Sequence, residues 1–413
     1  MLKVFLLAAW AAVRASGLSG EVKNNMFTQL QTQLFTCKNL FSPVKIGELK
    51  LQNKFVLASL TRGRAGESRV PNAAMREYYE ARAWNFGLLL TEASSISEMG
   101  EGWYDSPSLY GEERVEGWKT LVKGVQRMGG KIIAQMWHTG RAGHSSFLPD
   151  GQTPVSASEI PIQGDGVYTA DGTKQPHETP RALTVEEIAA TVADYKKAAE
   201  NCKEAGFNGV EIHAANGYLL DQFLQSCSNT RTDDYGGSVE NRYRFLKEVI
   251  DAVLQVYPPG CVGIKLSPNG NYNGMGSSDN FETFCYVLDQ IEALPDKLCY
   301  VQVMDGLAFG FHEKCDPVTL DVVKEHLKET PVMANCGYTP ESADEAVGEG
   351  KANLVAFGRP TLSNPDFVNR INKGFPLNDD LPQEDWFGKE IHRTTPEKGY
   401  TDFPPMYRPG QQN

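Results

Sequence analysis

Residues 209–224 read GVEIHAANGYLLDQFL: a short, apolar, β-branched run that leads straight into His213, Asn216 and Tyr218. Such a run, apolar at consecutive positions, suits a strand buried on both faces, and both faces are buried when helices cover a parallel sheet. The same rhythm extends in both directions. Candidate strands fall at Phe55–Ser59, Leu88–Ala93, Lys131–Trp137, Gly209–Ala215, Cys261–Pro268, Leu298–Met304, Pro331–Cys336 and Asn353–Gly358. Helical stretches alternate with them at Met75–Ala83, Gly117–Met128, Val185–Ala205, Asn241–Val256, Asn280–Leu294, Pro317–Lys328, Pro340–Gly348 and Pro365–Asn372. Thr184 before Glu186 and Glu187, Asp316 before Pro317 and Thr339 before Pro340 are helix-start signals. Eight strand–helix units predict a single (β/α)8 TIM barrel, with a doubly wound open sheet as the competing architecture.

Two irregular stretches interrupt the alternation. Lys45–Asn53 (KIGELKLQN) alternates around a glycine and is expected to be a hairpin capping the closed end of the barrel. Arg141–Leu183 is a long Gly/Pro/Ser-rich excursion after the third strand, of a length that usually marks a lid or an insertion. Residues 1–40 form an N-terminal extension, 41–404 the barrel domain and 405–413 a tail. Within the extension, residues 1–19 carry Lys3, an apolar run and small residues, which resembles a secretory or organelle-entry signal; a packed or disordered extension is the alternative.

A formal net charge of -12 opposes a nucleic-acid or anionic-membrane partner, and no later stretch reads as transmembrane. The eight cysteines lack Cys-x-x-Cys or metal-ligand spacing, so free thiols are expected, without zinc or iron–sulfur sites. No Rossmann Gly-x-Gly-x-x-Gly follows any strand, so a dinucleotide would have to share the main site.

Chemistry in such barrels gathers where strands end. There His213 and the Asn216 amide can both donate to one carbonyl oxygen and stabilise charge that grows on it. Tyr218 adds a phenol, pKa about 10, able to give a proton to a strong carbon base. Taken alone, His-x-x-Asn-x-Tyr is a weak signal, since a lone strand-end His is more often a satisfied structural residue.

The wider context supplies a resemblance. HAANGYLLDQFL with SNTRTDDYGGSVENRYRFLKEV (Ser228–Val249) closely resembles the Old Yellow Enzyme family of flavin-dependent ene-reductases. LASLTRGRA (Leu57–Ala65), IIAQMWHTGRAG (Ile132–Gly143), VGIKLSP (Val262–Pro268), ANCGYTPESA (Ala334–Ala343) and LVAFGRPTLSNPDFVNRINKGFPLN (Leu354–Asn378) agree in family order, so that the likeness runs from Phe41 to Pro404.

The resemblance implies bound FMN, reduced by NADPH or NADH. It places Ser59 and Thr61 against the flavin ring, Ala93 where a small residue leaves room, Gln135 on the pyrimidine edge and Lys265 beside N1 and O2. Backbone amides of Cys336, Gly337 and Gly358, with the Arg359 guanidinium, would hold the phosphate. Trp137, Trp103 and Phe387 would line the substrate side. An α,β-unsaturated carbonyl held by His213 and Asn216 would take hydride at its β-carbon and a proton from Tyr218 at its α-carbon. The family also implies a cytoplasmic monomer or homodimer acting on small molecules. Three positions depart from the family: Ser59 stands for a common Pro, Lys265 for Arg, and Cys336 for the first Gly of a pair. The last keeps its amide contact unless the site needs φ > 0. Arg359 pairing with Asp366 is the competing reading of that cation. The RTDDYGGSVENR segment is expected to fasten a loop rather than to act chemically. A larger iron–sulfur relative would need a cysteine cluster that is lacking here; a non-catalytic flavin-binding protein is the other alternative.

Overall fold

In a computed structural model, residues 37–164, 166–305, 310–388 and 394–406 are described. Eight parallel strands close in chain order: β1 (Phe55–Leu57), β2 (Leu88–Ser95), β3 (Ile132–Trp137), β4 (Gly209–Ala214), β5 (Val262–Leu266), β6 (Tyr300–Met304), β7 (Val332–Asn335) and β8 (Leu354–Phe357). Pairing of Val355 with Phe55 shuts the ring. The helices that follow them are α1 (Ala73–Ala83), α2 (Glu112–Arg127), α3 (Val185–Ala205), α4 (Val239–Leu254), α5 (Asn280–Glu292), α6 (Leu320–His326), α7 (Pro340–Gly348) and α8 (Phe367–Lys373). This is the (β/α)8 barrel expected, not an open sheet.

Each strand buries both faces, which is why its sequence lacks a clean polar alternation. On β4, Val210, Ile212 and Ala214 join the apolar layer between barrel and helices. The interior is graded. At its floor Val56, Leu88, Leu90, Ile133, Met333 and Leu354 pack with Ile46, Leu49 and Leu51 of an antiparallel hairpin, Val44–Ile46 against Leu49–Leu51. Its turn residue Gly47 has φ +52, and a Cβ there would stand 2.2 Å from the Gly260 carbonyl, so the plug seats only with glycine. Towards the strands' C-terminal ends the buried residues become polar: Gln135, Glu211, His213, Lys265 and Gln302.

Local chemistry sets the element ends. Thr184 and Glu187 form a capping box on α3, and left-handed Gly206 ends it. Thr339 caps α7. The Asp316–Pro317 signal does not start α6. The Val318 amide instead donates to Asn269 Oδ1 at 2.8 Å, which keeps that stretch extended until Thr319 caps the helix. Helix α2 begins at Glu112, upstream of the expected Gly117, which sits mid-helix where a Cβ would press on Pro71 O at 2.9 Å.

The excursion after β3 carries two short strand pairs, Val155–Ser156 with Arg181–Ala182 and Val167–Tyr168 with Lys174–Gln175. Arg231 fastens it: one guanidinium nitrogen donates to Ala157 O (3.1 Å) and Leu183 O (2.6 Å) while two others grip Asp233. His177 of the excursion is half-buried. All eight cysteines are free thiols. The apolar run near the N-terminus and most of the tail lie outside the described residues. No helix among those described is long and apolar enough to cross a membrane.

Candidate active site

A tight turn follows β4. Asn216 (φ 60) and Gly217 (φ 69) are consecutive left-handed residues, a conformation that asparagine and glycine tolerate best. A Cβ on Gly217 would approach Asn273 Cβ to 2.6 Å. The turn is tied at every step: Asn216 N donates to Ser267 Oγ (2.7 Å), Asn273 Nδ2 donates to Asn216 O (2.9 Å), and Gly217 N donates to Asp221 Oδ2 (2.8 Å). Burial raises the Asp221 carboxyl to about 6. None of Ser267, Asn273 and Asp221 stood out in the sequence, because each acts by holding backbone.

This turn carries the Tyr218 ring between two others, edge-on to Trp137 at 4.9 Å and to His213 at 5.1 Å. Burial, then the Lys265 charge, pushes the His213 imidazole well below its usual range, so it is neutral at pH 7. Its Nδ1 is buried and lacks a hydrogen-bond partner among the described residues, as does Trp137 Nε1. Enclosure, and secondarily Tyr272, pushes the Tyr218 phenol well above 10, so it keeps its proton. A neutral imidazole donor and a protonated phenol side by side suit holding an oxyanion and delivering a proton.

Beside this trio lies a polar tract. Ser59 Oγ donates to Gln135 Oε1 (2.6 Å), and Gln135 Nε2 donates to Glu211 Oε1 (2.6 Å). Ala93 is the register partner of Gln135, and Lys265 that of His213. Burial lowers the Lys265 ammonium. Half-buried Thr61 opens the loop after β1, which Glu92 holds by accepting from the amides of Arg62 (3.0 Å) and Gly63 (2.9 Å).

Cys336, Gly337, Gly358 and Arg359 occupy the ends of β7 and β8, where barrels of this kind bind phosphate. Cys336 has φ +90 and Gly337 φ +88. The position does need φ > 0, and Cys336 adopts it, so the backbone keeps a glycine's path and the amide its direction, at the cost of strain. Asp366 does not take Arg359; it pairs with Arg370 at 2.8 Å. The Arg359 guanidinium stacks on Trp386 at 4.5 Å instead. Trp386 leads edge-on to Phe387, and Phe387 to Trp103 at 5.3 Å, a second aromatic wall built from distant segments.

Unpaired donors in a buried, polar barrel mouth, next to glycine-shaped backbone and a cation at the ends of β7 and β8, fit a flat heteroaromatic ring with a phosphate tail. Fold and site define a flavin-binding barrel oxidoreductase. Residues 39–378 match the NADH:flavin oxidoreductase / NADH oxidase family, and the chain belongs to that family, of which the Old Yellow Enzymes are members. It is 37% identical over 369 residues to 12-oxophytodienoate reductase 2 of Arabidopsis thaliana, covering 89% of this chain and 96% of that protein. It is 38% identical over 366 residues to 12-oxophytodienoate reductase 1 of Oryza sativa subsp. japonica (88% and 92%). Among solved structures, the Old Yellow Enzyme homologue from Zymomonas mobilis aligns with TM-score 0.82 at 36% identity, over 88% of this chain and 99% of that one. Morphinone reductase in complex with tetrahydroNAD aligns with TM-score 0.82 at 35% identity (91% and 99%). The protein is an FMN-dependent oxidoreductase that uses NAD(P)H.

Proposed function

We propose that this enzyme reduces the C=C bond of α,β-unsaturated carbonyl compounds. The observation that supports this reading is the edge-on meeting of the His213 and Tyr218 rings at 5.1 Å across one βα junction, with Asn216 in the turn between them. Bound FMN supplies storage of a hydride between NAD(P)H and the substrate. His213, as a neutral imidazole, and the Asn216 amide would hold the carbonyl oxygen and stabilise the enolate charge that builds there. Tyr218, protonated at all working pH values, would deliver the proton to the α-carbon. Trp137 packs edge-on against the Tyr218 ring and would hold it in place.

Ser59, Thr61, Ala93 and Gln135 would meet the ring, Lys265 the N1 and O2 edge, and the Cys336, Gly337 and Gly358 amides with Arg359 the phosphate. Trp103 and Phe387 would form the outer wall of the substrate space. The names of the plant relatives make cyclopentenones of the oxophytodienoate type the first substrates to try. The test is anaerobic: NADPH should bleach the yellow protein, and cyclohexenone should restore the colour. Protein that bleaches but never recolours with any enone would refute the reading.

A further inference from the structure

One buried charge takes no part in that chemistry. Glu211 lies on β4, fully buried, two residues before His213 on the same inward face. Its neighbours are set by register: Gln135 on one side, and on the other Gly263, whose own partner is Tyr300. Gly263 matters by what it lacks. A Cβ there would sit 2.4 Å from the Tyr300 ring, so glycine lets that ring cross the barrel towards the carboxylate. One register step towards the mouth lie His213, Lys265 and Gln302.

We propose that Glu211 is a positioning residue of the flavin site: it is the counter-charge of Lys265 and the anchor of the Gln135 amide, and through them sets the potential felt by the flavin's pyrimidine edge. The inference rests on the site reading above. The geometry behind it is direct. Gln135 Nε2 is spent on Glu211 at 2.6 Å, which fixes which way the amide faces. Burial pushes the Glu211 carboxyl up, and the Lys265 charge, then Gln135 and the Tyr300 hydroxyl, act to keep it ionised. A carboxylate in an otherwise apolar strand is costly unless it is compensated, and the floor below needs none. An ammonium is a compact point charge that loses its proton readily when buried, unlike a guanidinium. Burial lowers the Lys265 pKa while Glu211 acts to raise it.

The test uses the FMN-loaded enzyme and reads the oxidised-to-reduced equilibrium of the flavin at pH 6.5 against a reference dye, not turnover. Glu211→Gln should shift that equilibrium towards reduced flavin at least tenfold, about 30 mV for a two-electron couple. Lys265→Met should shift it the other way, and the double variant should lie between the singles. Where Glu211→Gln does not retain flavin, the comparison of Lys265→Met with the double variant carries the test. Equilibria unchanged on removing the carboxylate in either background, with FMN still bound, would overturn the proposal. Wild-type protein that takes up no FMN would instead defeat the site reading on which it stands.

Discussion

Tyr218→Phe removes one hydroxyl and little else. The ring keeps its edge contacts with Trp137 at 4.9 Å and His213 at 5.1 Å, and the turn keeps its ties to Ser267 and Asp221, with only the hydroxyl's bond to Asn273 lost. Unfolding stability should therefore move by less than about 1 kcal/mol. The chemistry should not be spared. General acid catalysis contributes roughly 10²–10⁴-fold, or roughly 3–5 kcal/mol of barrier, and Tyr218 is the protonated acid beside the proposed donors. Only one half of the cycle needs that proton. Anaerobic stopped-flow should show flavin reduction by NADPH unchanged, and reoxidation by an enone slowed by about 10²-fold or more. Because enclosure holds the phenol well above its usual range, the wild-type reoxidation rate should show no loss from phenol ionisation up to pH 9. Equal losses in the two halves, or undiminished reoxidation, would refute the proton-donor argument.

Four further outcomes are expected. His213→Ala should weaken binding of phenols, which mimic the enolate, by about 10²–10³-fold, the usual cost of one oxyanion donor. Wild-type phenol affinity should not change through pH 6.5, because the imidazole is already neutral there. His138, which burial pushes down to about 3, titrates near 6.5 in the unfolded chain. Stability from this group is thus full above about pH 6.5 and lost as the pH falls, at about 1.4 kcal/mol per unit. Between pH 7 and 5, urea unfolding should show wild type losing about 2 kcal/mol relative to His138→Gln; parallel curves would contradict the assignment. Cys336→Gly should relieve strain at φ +90 and raise stability by up to about 1 kcal/mol, after allowing for glycine's greater unfolded freedom. A clear loss would mean that the thiol's packing outweighs its backbone cost.

The barrel was legible because its signals are local. Thr184 and Glu187 mark the start of α3 within three residues of each other, and the eight apolar runs announce themselves one by one. Element ends were lost where distant parts intervene. Asn269 reaches over to hold Val318, and Gly117 looks like a break until the chain crossing it is seen. In the site, His213, Asn216 and Tyr218 fall within six residues of one strand end and can be read together. Glu211 could not: as one acid in a strand it says nothing until register sets it between Gln135 and Gly263. The pairing of Trp103 with Phe387 and the stacking of Arg359 on Trp386 join residues far apart in the chain, and no local pattern encodes either.

The hairpin that plugs the floor has a kinetic corollary. A vessel stoppered at its base by Ile46, Leu49 and Leu51 fills and empties over its rim. Reductant and acceptor would queue at that rim, and flooding the solution with one would starve the other of access.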